Sequence, residues 1–449
     1  MAPLLVQGII YSCYVLGLIR PFWALCGFLF LIFLQPEFIW RFEGLAGLSY
    51  QQPIIVCIII GVLLNPSQGN GFHRNVVLLV SSLSLVLIMW ASSLVSIRPA
   101  VSELYFDVLW KSVLIMLLIV HVVNSPQKAI YITAAAALGS SYNAFRLNED
   151  YLMLGWCRWI HDSWGFKGDS NVICLFVMPI IASSSVYFLT AKQRLPKLLA
   201  LLTMLVHVHM VFILESRGAM LGLAALFATA FYLIPKSPKI IGLSFLVVSI
   251  VALFAGPPVI KEFQTIFAAK ENRDASAESR FTLWKAAFLI TCDYPLLGVG
   301  PYAGQYMIPQ YADVFQGLEV KHPHNIFGEV ASGSGVLGLA CYLITLTTPM
   351  IMAYRLRRKY SDPDDSLLQF LTLTPMVSIP ALAVTGMFCG SGMMESIYYF
   401  TGISFGGIVS YQRLRDEEEQ RSDEDELAPE GHEEFDEVDV LPESAEAFD

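Results

Sequence analysis

Long uninterrupted apolar runs recur along most of this chain, and they restrict its fold more than any other feature. About 13 of these runs approach the roughly 20 apolar residues that a helix needs to cross a bilayer. Their apolar residues are contiguous rather than alternating, which favours helices over a transmembrane β-barrel. Charged residues make up only 15% of the chain, against about 25% in soluble domains. The sequence therefore predicts an all-α, polytopic transmembrane helical bundle.

The predicted bundle has about 12–13 spans. Arg20 and Pro21 separate the first two runs so tightly that twelve spans with one half-inserted segment would fit as well. The runs lie near residues 3–19, 21–40, 45–64, 75–95, 107–124, 127–145, 170–190, 196–214, 217–234, 239–255, 325–353, 367–388 and 394–411.

An acidic segment at the end of the sequence accounts for the net charge of −10. Residues 413–449 contain 17 of the 38 acidic residues but only 3 of the 28 basic ones. A segment so rich in like charge and so poor in apolar residues is predicted to be disordered. We therefore divide the chain into a transmembrane domain, residues 1–412, and an acidic cytoplasmic tail, residues 413–449.

The basic residues predict which loops face the cytoplasm, because short loops rich in Lys and Arg stay on that side. Counted through the predicted spans, these loops all fall on one face. They contain Lys192, Arg194, Lys197, Lys236, Lys239, Arg355, Arg357, Arg358, Lys359, Arg413 and Arg415. The opposite face then carries two long loops, residues 144–169 and 256–324, which would be periplasmic in a bacterium.

Two arginines beside apolar segments are candidates for binding a phosphate group. Arg217 lies in a short turn between two apolar runs, and Arg280 begins a predicted amphipathic helix in the larger loop. On that helix, Phe281, Trp284 and Phe288 are spaced to form one face that suits the membrane interface. Arginine is the preferred phosphate ligand, because its planar guanidinium donates two hydrogen bonds and stays charged. The alternative is that Arg217 fixes the depth of its span and Arg280 pairs with a carboxylate or a lipid headgroup.

The segment His322-Pro323-His324-Asn325 leads into the next span. His324 is predicted in the first turn, where burial and the helix dipole favour a neutral imidazole that can act as a general base. A purely structural histidine is the alternative. Asn325 and Glu329 are four residues apart, so they share a helix face. No third ligand is suitably spaced from the two histidines, and the eight cysteines form no CxxC motif, so no metal site is predicted.

The order of these motifs resembles the signature region of the O-antigen ligase family. An Arg-x-x-x-Trp helix is followed by a Pro- and Gly-containing segment, a His-Asn pair, a Glu and two further glycines. The matching residues are Arg280, Trp284, Pro295, Gly298, Gly300, His324, Asn325, Glu329, Gly335 and Gly338. ESRGAMLGLA and GDSNVICLFVMPII resemble two more blocks, which extends the resemblance over roughly residues 169–345. The acidic tail, and Gly328 where a Leu is usual, depart from the family pattern.

The N-terminal segment RPFWALCGFLFLIFLQPE is more similar to the O-glycosylation ligase branch associated with exosortase systems. The resemblance as a whole implies a membrane glycosyltransferase of the GT-C type. Such an enzyme moves a glycan from a polyprenyl-diphosphate lipid to an acceptor hydroxyl, which implies an active site on the periplasmic face of a bacterial inner (plasma) membrane. The partners implied are this lipid-linked glycan, a glycan, lipid or protein acceptor, and the bilayer.

Specific roles for the site residues follow from the resemblance. Arg217 and Arg280 would stabilise charge on the leaving diphosphate, and His324 would be the base, so these three are the predicted catalytic residues. The predicted substrate-binding residues are His322, Asn325, Glu329, Trp284 and Tyr302. No cofactor, metal or nucleic acid is expected. The sequence has no Gly-rich nucleotide motif and no paired carboxylates at glycosidase-like positions.

Three other functions remain open from the sequence. An O-antigen or exopolysaccharide polymerase and a protein O-oligosaccharyltransferase would share these motifs and differ in the acceptor. A lipid or solute transporter is the alternative outside enzymes, and an internal repeat of broken helices would favour it. The sequence shows no convincing repeat of that kind, and two long loops on one face favour an enzyme.

Overall fold

A computed structural model of the chain describes residues 2–45, 47–66, 76–155, 169–234, 241–242, 275–360 and 362–427. Within these residues the chain forms helices and no strands. Three short 3-10 helices, Arg41–Glu43, Ala303–Tyr306 and Asp313–Phe315, lie in the connections. The α-helices are α1 (Ala2–Ile19), α2 (Pro21–Leu34), α3 (Pro36–Ile39), α4 (Gln51–Leu64), α5 (Val76–Leu94), α6 (Pro99–Val122), α7 (Pro126–Leu154), α8 (Ser170–Thr190), α9 (Arg194–Ile213), α10 (Arg217–Leu233), α11 (Ala275–Asp293), α12 (Ile308–Tyr311), α13 (Ile326–Lys359), α14 (Ser366–Gly386) and α15 (Glu395–Leu427).

The predicted all-α, polytopic membrane fold is confirmed. Seven segments in the described residues are long and apolar enough to cross a membrane, and three shorter apolar helices accompany them. The seven are Pro21–Ile39, Val76–Leu94, Pro99–Val122, Ser170–Thr190, Arg194–Ile213, Ile326–Lys359 and Ser366–Gly386. The three are Pro3–Ile19, Gln51–Leu64 and Arg217–Leu233. A helix also lies at each remaining predicted span except 239–255, most of which falls outside the described residues.

Small residues allow the central helices to approach one another closely. α14 packs against α8, α10 and α13, and α2 packs against α7. At the α10–α14 contact, a Cβ added to Gly222 would lie 1.9 Å from the Thr385 hydroxyl oxygen. At the α2–α7 contact, a Cβ on Gly139 would lie 2.2 Å from the Phe30 carbonyl oxygen. Membrane helices associate through such small residues because van der Waals packing, rather than exclusion of water, holds them together.

A break in α13 holds the preceding loop against the bundle. Gly335 adopts φ 70° and interrupts the helical conformation, which glycine can do because it has no Cβ. The carbonyl oxygens of Ser332 and Gly333 then accept the N–H groups of Val299 and Gly300, at 2.9 and 3.0 Å. The Gly-Val-Gly motif is therefore fastened along α13, which fixes the segment that leads to Tyr302.

Helix α11 forms where an amphipathic helix was predicted, and its two sides differ in burial. The protein-facing side consists of Leu283, Ala286 and Ile290, none more than 1% exposed. Phe281 and Phe288 are each 66% exposed. These outward aromatic side chains have the exposure expected of residues that contact lipid, and their placement in the interface stays a prediction.

Helices α7 and α15 continue furthest beyond the ends of their predicted spans. α7 continues to Leu154, so the first part of the predicted loop 144–169 is helical, and residues 156–168 lie outside the described residues. α15 continues to Leu427. Residues 413–427 are therefore helical in the structure, where the sequence predicted disorder, and residues 428–449 lie outside the described part.

The helical start of the tail has a local electrostatic cause. Contacts divide the chain into two compact units after Tyr411. Beyond that point, Arg413 pairs with Glu417 at 3.7 Å and Arg415 pairs with Glu418 at 2.8 Å. Pairs three and four residues apart stabilise an exposed helix by a few tenths of a kcal/mol each, an effect that a count of net charge does not include.

Candidate functional site

The predicted site residues lie at the starts of α10 and α13, within α11 and in the segment between α11 and α13. Arg280 was predicted to begin its helix, but α11 begins five residues earlier, at Ala275. Contacts also connect them to the start of α8 and to the residues between α14 and α15. We call residues 387–394 the α14–α15 loop. No single stretch of sequence forms the site.

Arg217 is the first residue of α10 and is half-buried. The preceding Ser216 caps the helix, because its hydroxyl accepts the N–H of Ala219 at 3.3 Å. The same hydroxyl donates to Oδ1 of Asn171 at 2.7 Å. Asn171 lies in the first turn of α8, where Asp169 is the cap. A hydrogen bond therefore holds the start of α10, and with it Arg217, against the start of α8.

Arg280 and Trp284 meet the start of α10 at Phe388, in the α14–α15 loop. The guanidinium carbon of Arg280 lies 5.6 Å from the centre of the Phe388 ring. The Trp284 ring centre lies 5.8 Å from the same ring. A Cβ added to Gly218, the second residue of α10, would lie 2.4 Å from Cβ of Phe388. The elements that carry the two predicted catalytic arginines therefore pack against one aromatic side chain.

The Trp284 indole also has a chemical feature of interest. Its N–H is buried and makes no hydrogen bond within the described residues. A buried tryptophan usually finds an acceptor for this group. The indole N–H can thus donate a hydrogen bond, and the substrate-binding role of Trp284 stays a prediction.

His324 lies just before α13 rather than in its first turn, which corrects the sequence-based placement. Asn325 is the cap of α13, and its side-chain oxygen accepts the N–H groups of Phe327 and Gly328 at 2.9 and 3.1 Å. His324 therefore precedes the cap, with a left-handed backbone, φ 47°. Non-glycine residues adopt this conformation rarely and at a cost of about 1–3 kcal/mol.

Burial lowers the pKa of His324 below its ordinary value of 6.5. The carboxylate of Asp169 acts in the opposite direction, whereas the positive charges of His322, Arg280 and Lys321 lower the pKa further. The lowered pKa favours the neutral imidazole, and burial rather than a place inside the helix is its main cause. A neutral imidazole can accept a proton.

His322 and Tyr302 lie together at the side of His324. The Tyr302 hydroxyl is 3.2 Å from Nδ1 of His322, and the two histidine rings are 6.1 Å apart. Tyr302 stacks on Tyr105 of α6, with ring centres 3.6 Å apart and planes 15° from parallel. Tyr105 was not predicted from the sequence, because its distance along the chain from Tyr302 conceals this contact.

Glu329 is only 3% exposed and contacts the α14–α15 loop. Its Oε1 accepts the N–H of Gly392 at 2.9 Å. Its Oε2 is buried and has no hydrogen-bond partner within the described residues. A Cβ added to Gly390 would lie 3.2 Å from that Oε2 and 3.7 Å from the backbone nitrogen of His324. The carboxylate thus joins the α14–α15 loop to the helix that follows His324.

The structure brings all eight predicted site residues to one end of the bundle, and it adds others. Asp169 and Asn171 belong to the segment GDSNVICLFVMPII, which resembles a block of the family pattern. The hydrogen bond between Asn171 and Ser216 was not predicted. Phe388 and Gly392 were not predicted at all, although the small-residue sequence Cys-Gly-Ser-Gly at 389–392 is typical of a closely packed loop. Within the described residues, no group of three or more His, Cys, Asp or Glu side chains is arranged to hold a metal ion.

A comparison with models of protein families matches residues 199–343 to the family described as O-antigen ligase. The match begins in α9 and ends in α13, and it includes Arg217, Arg280, His324 and Glu329. It confirms the resemblance to the O-antigen ligase family over about a third of the chain. A comparison with curated proteins finds no match.

Proposed function

We propose that this protein, which contains the O-antigen ligase region of a membrane glycosyltransferase, transfers a glycan from a polyprenyl-diphosphate lipid to an acceptor hydroxyl. We place the reaction at the periplasmic face of a bacterial inner membrane. One observation supports this proposal most: Arg280 and the start of α10, which begins with Arg217, pack against the same Phe388. Two guanidinium groups at the same end of the helical bundle suit the two phosphates of a lipid diphosphate.

The proposed reaction is a displacement at the anomeric carbon of the donor glycan. The acceptor oxygen forms the new glycosidic bond as its proton passes to His324. The bond between the anomeric carbon and the diphosphate oxygen breaks, and the diphosphate leaves with the electron pair. Arg217 and Arg280 stabilise the negative charge that this oxygen gains. Fixed cationic donors of this kind act mainly on the transition state, where the new charge develops.

His324 suits the proton-accepting role for two reasons. Its lowered pKa favours the neutral imidazole, and the cap at Asn325 fixes the backbone immediately after it. We assign donor or acceptor binding to His322, Tyr302 and Trp284, whose polar groups lie around the same end. In this proposal the arginines supply the positive charge that a metal ion supplies in many other transferases, so the reaction is metal-independent.

The proposal can be tested by transfer assays with purified protein and a lipid-linked glycan. We expect Arg217→Ala and Arg280→Ala to reduce transfer on the order of 100-fold or more, because each removes a cation from the leaving group. Lys at either position should restore little activity, since it lacks the bidentate donor geometry. Arg355→Ala is a matched control, because Arg355 is an exposed arginine at the other end of α13. Full activity of both Lys variants would mean that these arginines only anchor the helices.

The products of the same assay identify the class of acceptor. A ligase adds one glycan to a lipid or protein acceptor, whereas a polymerase forms a ladder of longer glycans on the carrier lipid. Movement of lipid-linked glycan without any new glycosidic bond would instead indicate a transporter and would refute the proposed chemistry.

A further inference from the structure

We infer that Phe388 is a positioning residue that holds both arginines of the proposed site in place, through the α14–α15 loop. This inference rests on the proposed function, and it assigns a role to a residue outside the region that matches the family model, residues 199–343. It follows from two sets of contacts around this half-buried ring and from a third set that holds its loop against α13.

The first contact is with the helix that carries Arg217. Gly218, the next residue, has no side chain, and a Cβ there would lie 2.4 Å from Cβ and 3.0 Å from Cγ of Phe388. The start of α10 therefore touches Phe388 with its backbone. Any larger residue at 218 would push the two apart, so the position of Arg217 depends on the place that Phe388 occupies.

The second contact is with Arg280 and Trp284 of α11. The guanidinium carbon of Arg280 lies 5.6 Å from the ring centre of Phe388, within the range of a cation–π interaction. The Trp284 ring lies 5.8 Å from it, with the planes tilted by 59°. The ring face of Phe388 can thus orient the guanidinium without neutralising the charge that the diphosphate requires.

The third contact fastens the loop itself. Oε1 of Glu329 accepts the N–H of Gly392 at 2.9 Å. A Cβ on Gly392 would lie 2.8 Å from a methyl group of Val330, so the loop backbone lies directly on the first turns of α13. Since His324 lies two residues before α13, the same loop connects the segment that holds the proposed base to Phe388.

Substitutions at position 388 can distinguish a ring that only fills space from a ring that orients a cation. A space-filling ring can be replaced by another apolar side chain of similar size. A ring that orients Arg280 needs an aromatic face, because the attraction comes from the negative potential above the ring plane. Phe388→Tyr keeps that face, whereas Phe388→Leu removes it and keeps an apolar side chain.

The test compares these variants in a transfer assay with a polyprenyl-diphosphate-linked glycan as donor. We expect Phe388→Leu to lower kcat/KM for the donor about 3- to 30-fold, the range of cation–π energies, without changing KM for the acceptor. Phe388→Tyr should retain most of the activity. Phe370→Leu is the matched control, because Phe370 is a buried ring near the other end of α14 that packs against Tyr187. It should lower thermal stability at least as much as Phe388→Leu, because Phe370 is the more buried ring, but keep normal kinetics.

Two additions keep the result decisive. In a double-mutant cycle with Arg280→Gln, the effects of Phe388→Leu and Arg280→Gln should be non-additive, because one residue acts through the other. If the Leu variant does not fold, a pentafluorophenylalanine at position 388 keeps the shape of the ring but withdraws the negative potential from its face, and it should show the same loss.

The outcomes separate this inference from the proposed function. Normal donor kinetics in Phe388→Leu or in the fluorinated protein, together with inactive Arg280→Ala, would overturn the role of Phe388 and leave the glycosyl transfer proposal intact. Full activity of both Arg217→Ala and Arg280→Ala would instead refute the proposed function itself. A selective loss of donor kcat/KM in Phe388→Leu, with rescue by Tyr and a non-additive cycle, would establish the positioning role.

Discussion

The pH dependence of transfer tests His324 most directly. If His324 is the base, the rate is proportional to the fraction of its imidazole that is neutral. An imidazole with the ordinary pKa of about 6.5 is half protonated at pH 6.5, and the rate there would be half of its plateau. Burial lowers the pKa of His324. We therefore expect more than half of the plateau rate to remain at pH 6.5, and the rate to fall only at lower pH.

The assay is single-turnover transfer between pH 5 and pH 8.5, with donor and acceptor saturating, so that binding does not limit the rate. His324→Ala should lower the rate by about 10²–10⁴-fold, which is the usual contribution of a general base. The residual rate of His324→Ala should no longer fall at low pH, that is, it should lose the acid limb of the pH profile. Donor binding should persist in this variant. His322→Ala is the matched control and should retain more activity, since Nδ1 of His322 already contacts the Tyr302 hydroxyl.

The sign of the effect can be checked by changing one neighbouring charge. The positive charge of Lys321 lowers the pKa of His324. Lys321→Gln should therefore raise that pKa and move the acid limb to higher pH, whereas Lys321→Arg should leave the limb in place. An acid limb centred above pH 6.5 in the unmodified protein would contradict the lowered pKa. Near-normal turnover of His324→Ala would refute the general-base role altogether.

Two further predictions concern the α14–α15 loop and the membrane topology. Glu329→Ala should destabilise the protein by about 1–3 kcal/mol in thermal unfolding, because the buried N–H of Gly392 loses its acceptor. Glu329→Gln keeps an acceptor oxygen and should cost less, and equal losses would contradict this account. Reporter fusions at Lys192 and Asp416 should give cytoplasmic signals and a fusion at Asp274 a periplasmic one. A cytoplasmic signal at Asp274 would place the proposed site on the wrong side of the membrane.

Much of the fold could be predicted from the sequence, because hydrophobic length determines where a membrane helix forms. The ends of the helices were less predictable. α7 runs to Leu154 past the end of its apolar run, since the polar residues that follow are equally compatible with a helix outside the membrane. The helical residues 413–427 show the same limit, because net charge predicts disorder while local pairs of opposite charge stabilise a helix.

Site residues could be predicted from the sequence where the side chain has a characteristic chemistry. They were missed where a residue matters only through its contacts with residues distant in the sequence. Arginine and histidine suggest phosphate binding and proton transfer from any position in a sequence. Phe388 has no such chemistry, and the role that we infer for it depends on its contacts with Gly218 and Arg280. Tyr105 was missed for the same reason, since its partner, Tyr302, is nearly 200 residues further along the chain.

Two helix starts at the site are built in the same way. Glu215 and His324 both adopt a left-handed backbone, with φ of 52° and 47°. Each is followed by a residue, Ser216 or Asn325, whose side chain caps the next helix. The turn before the cap costs free energy, and the hydrogen bonds of the cap and of the helix offset that cost. This arrangement lets the chain enter each helix abruptly.

These two helix starts would also matter for the proposed reaction. The N–H groups in the first turn of a helix, together with its dipole, favour a negative charge nearby. α10 begins with Arg217, and α13 begins two residues after His324. A diphosphate bound at this end would therefore meet the positive end of a helix as well as the guanidinium groups. The same field opposes protonation of His324, in the direction in which burial already lowers its pKa. In the proposed reaction, one electrostatic environment would therefore favour both the leaving diphosphate and the neutral base.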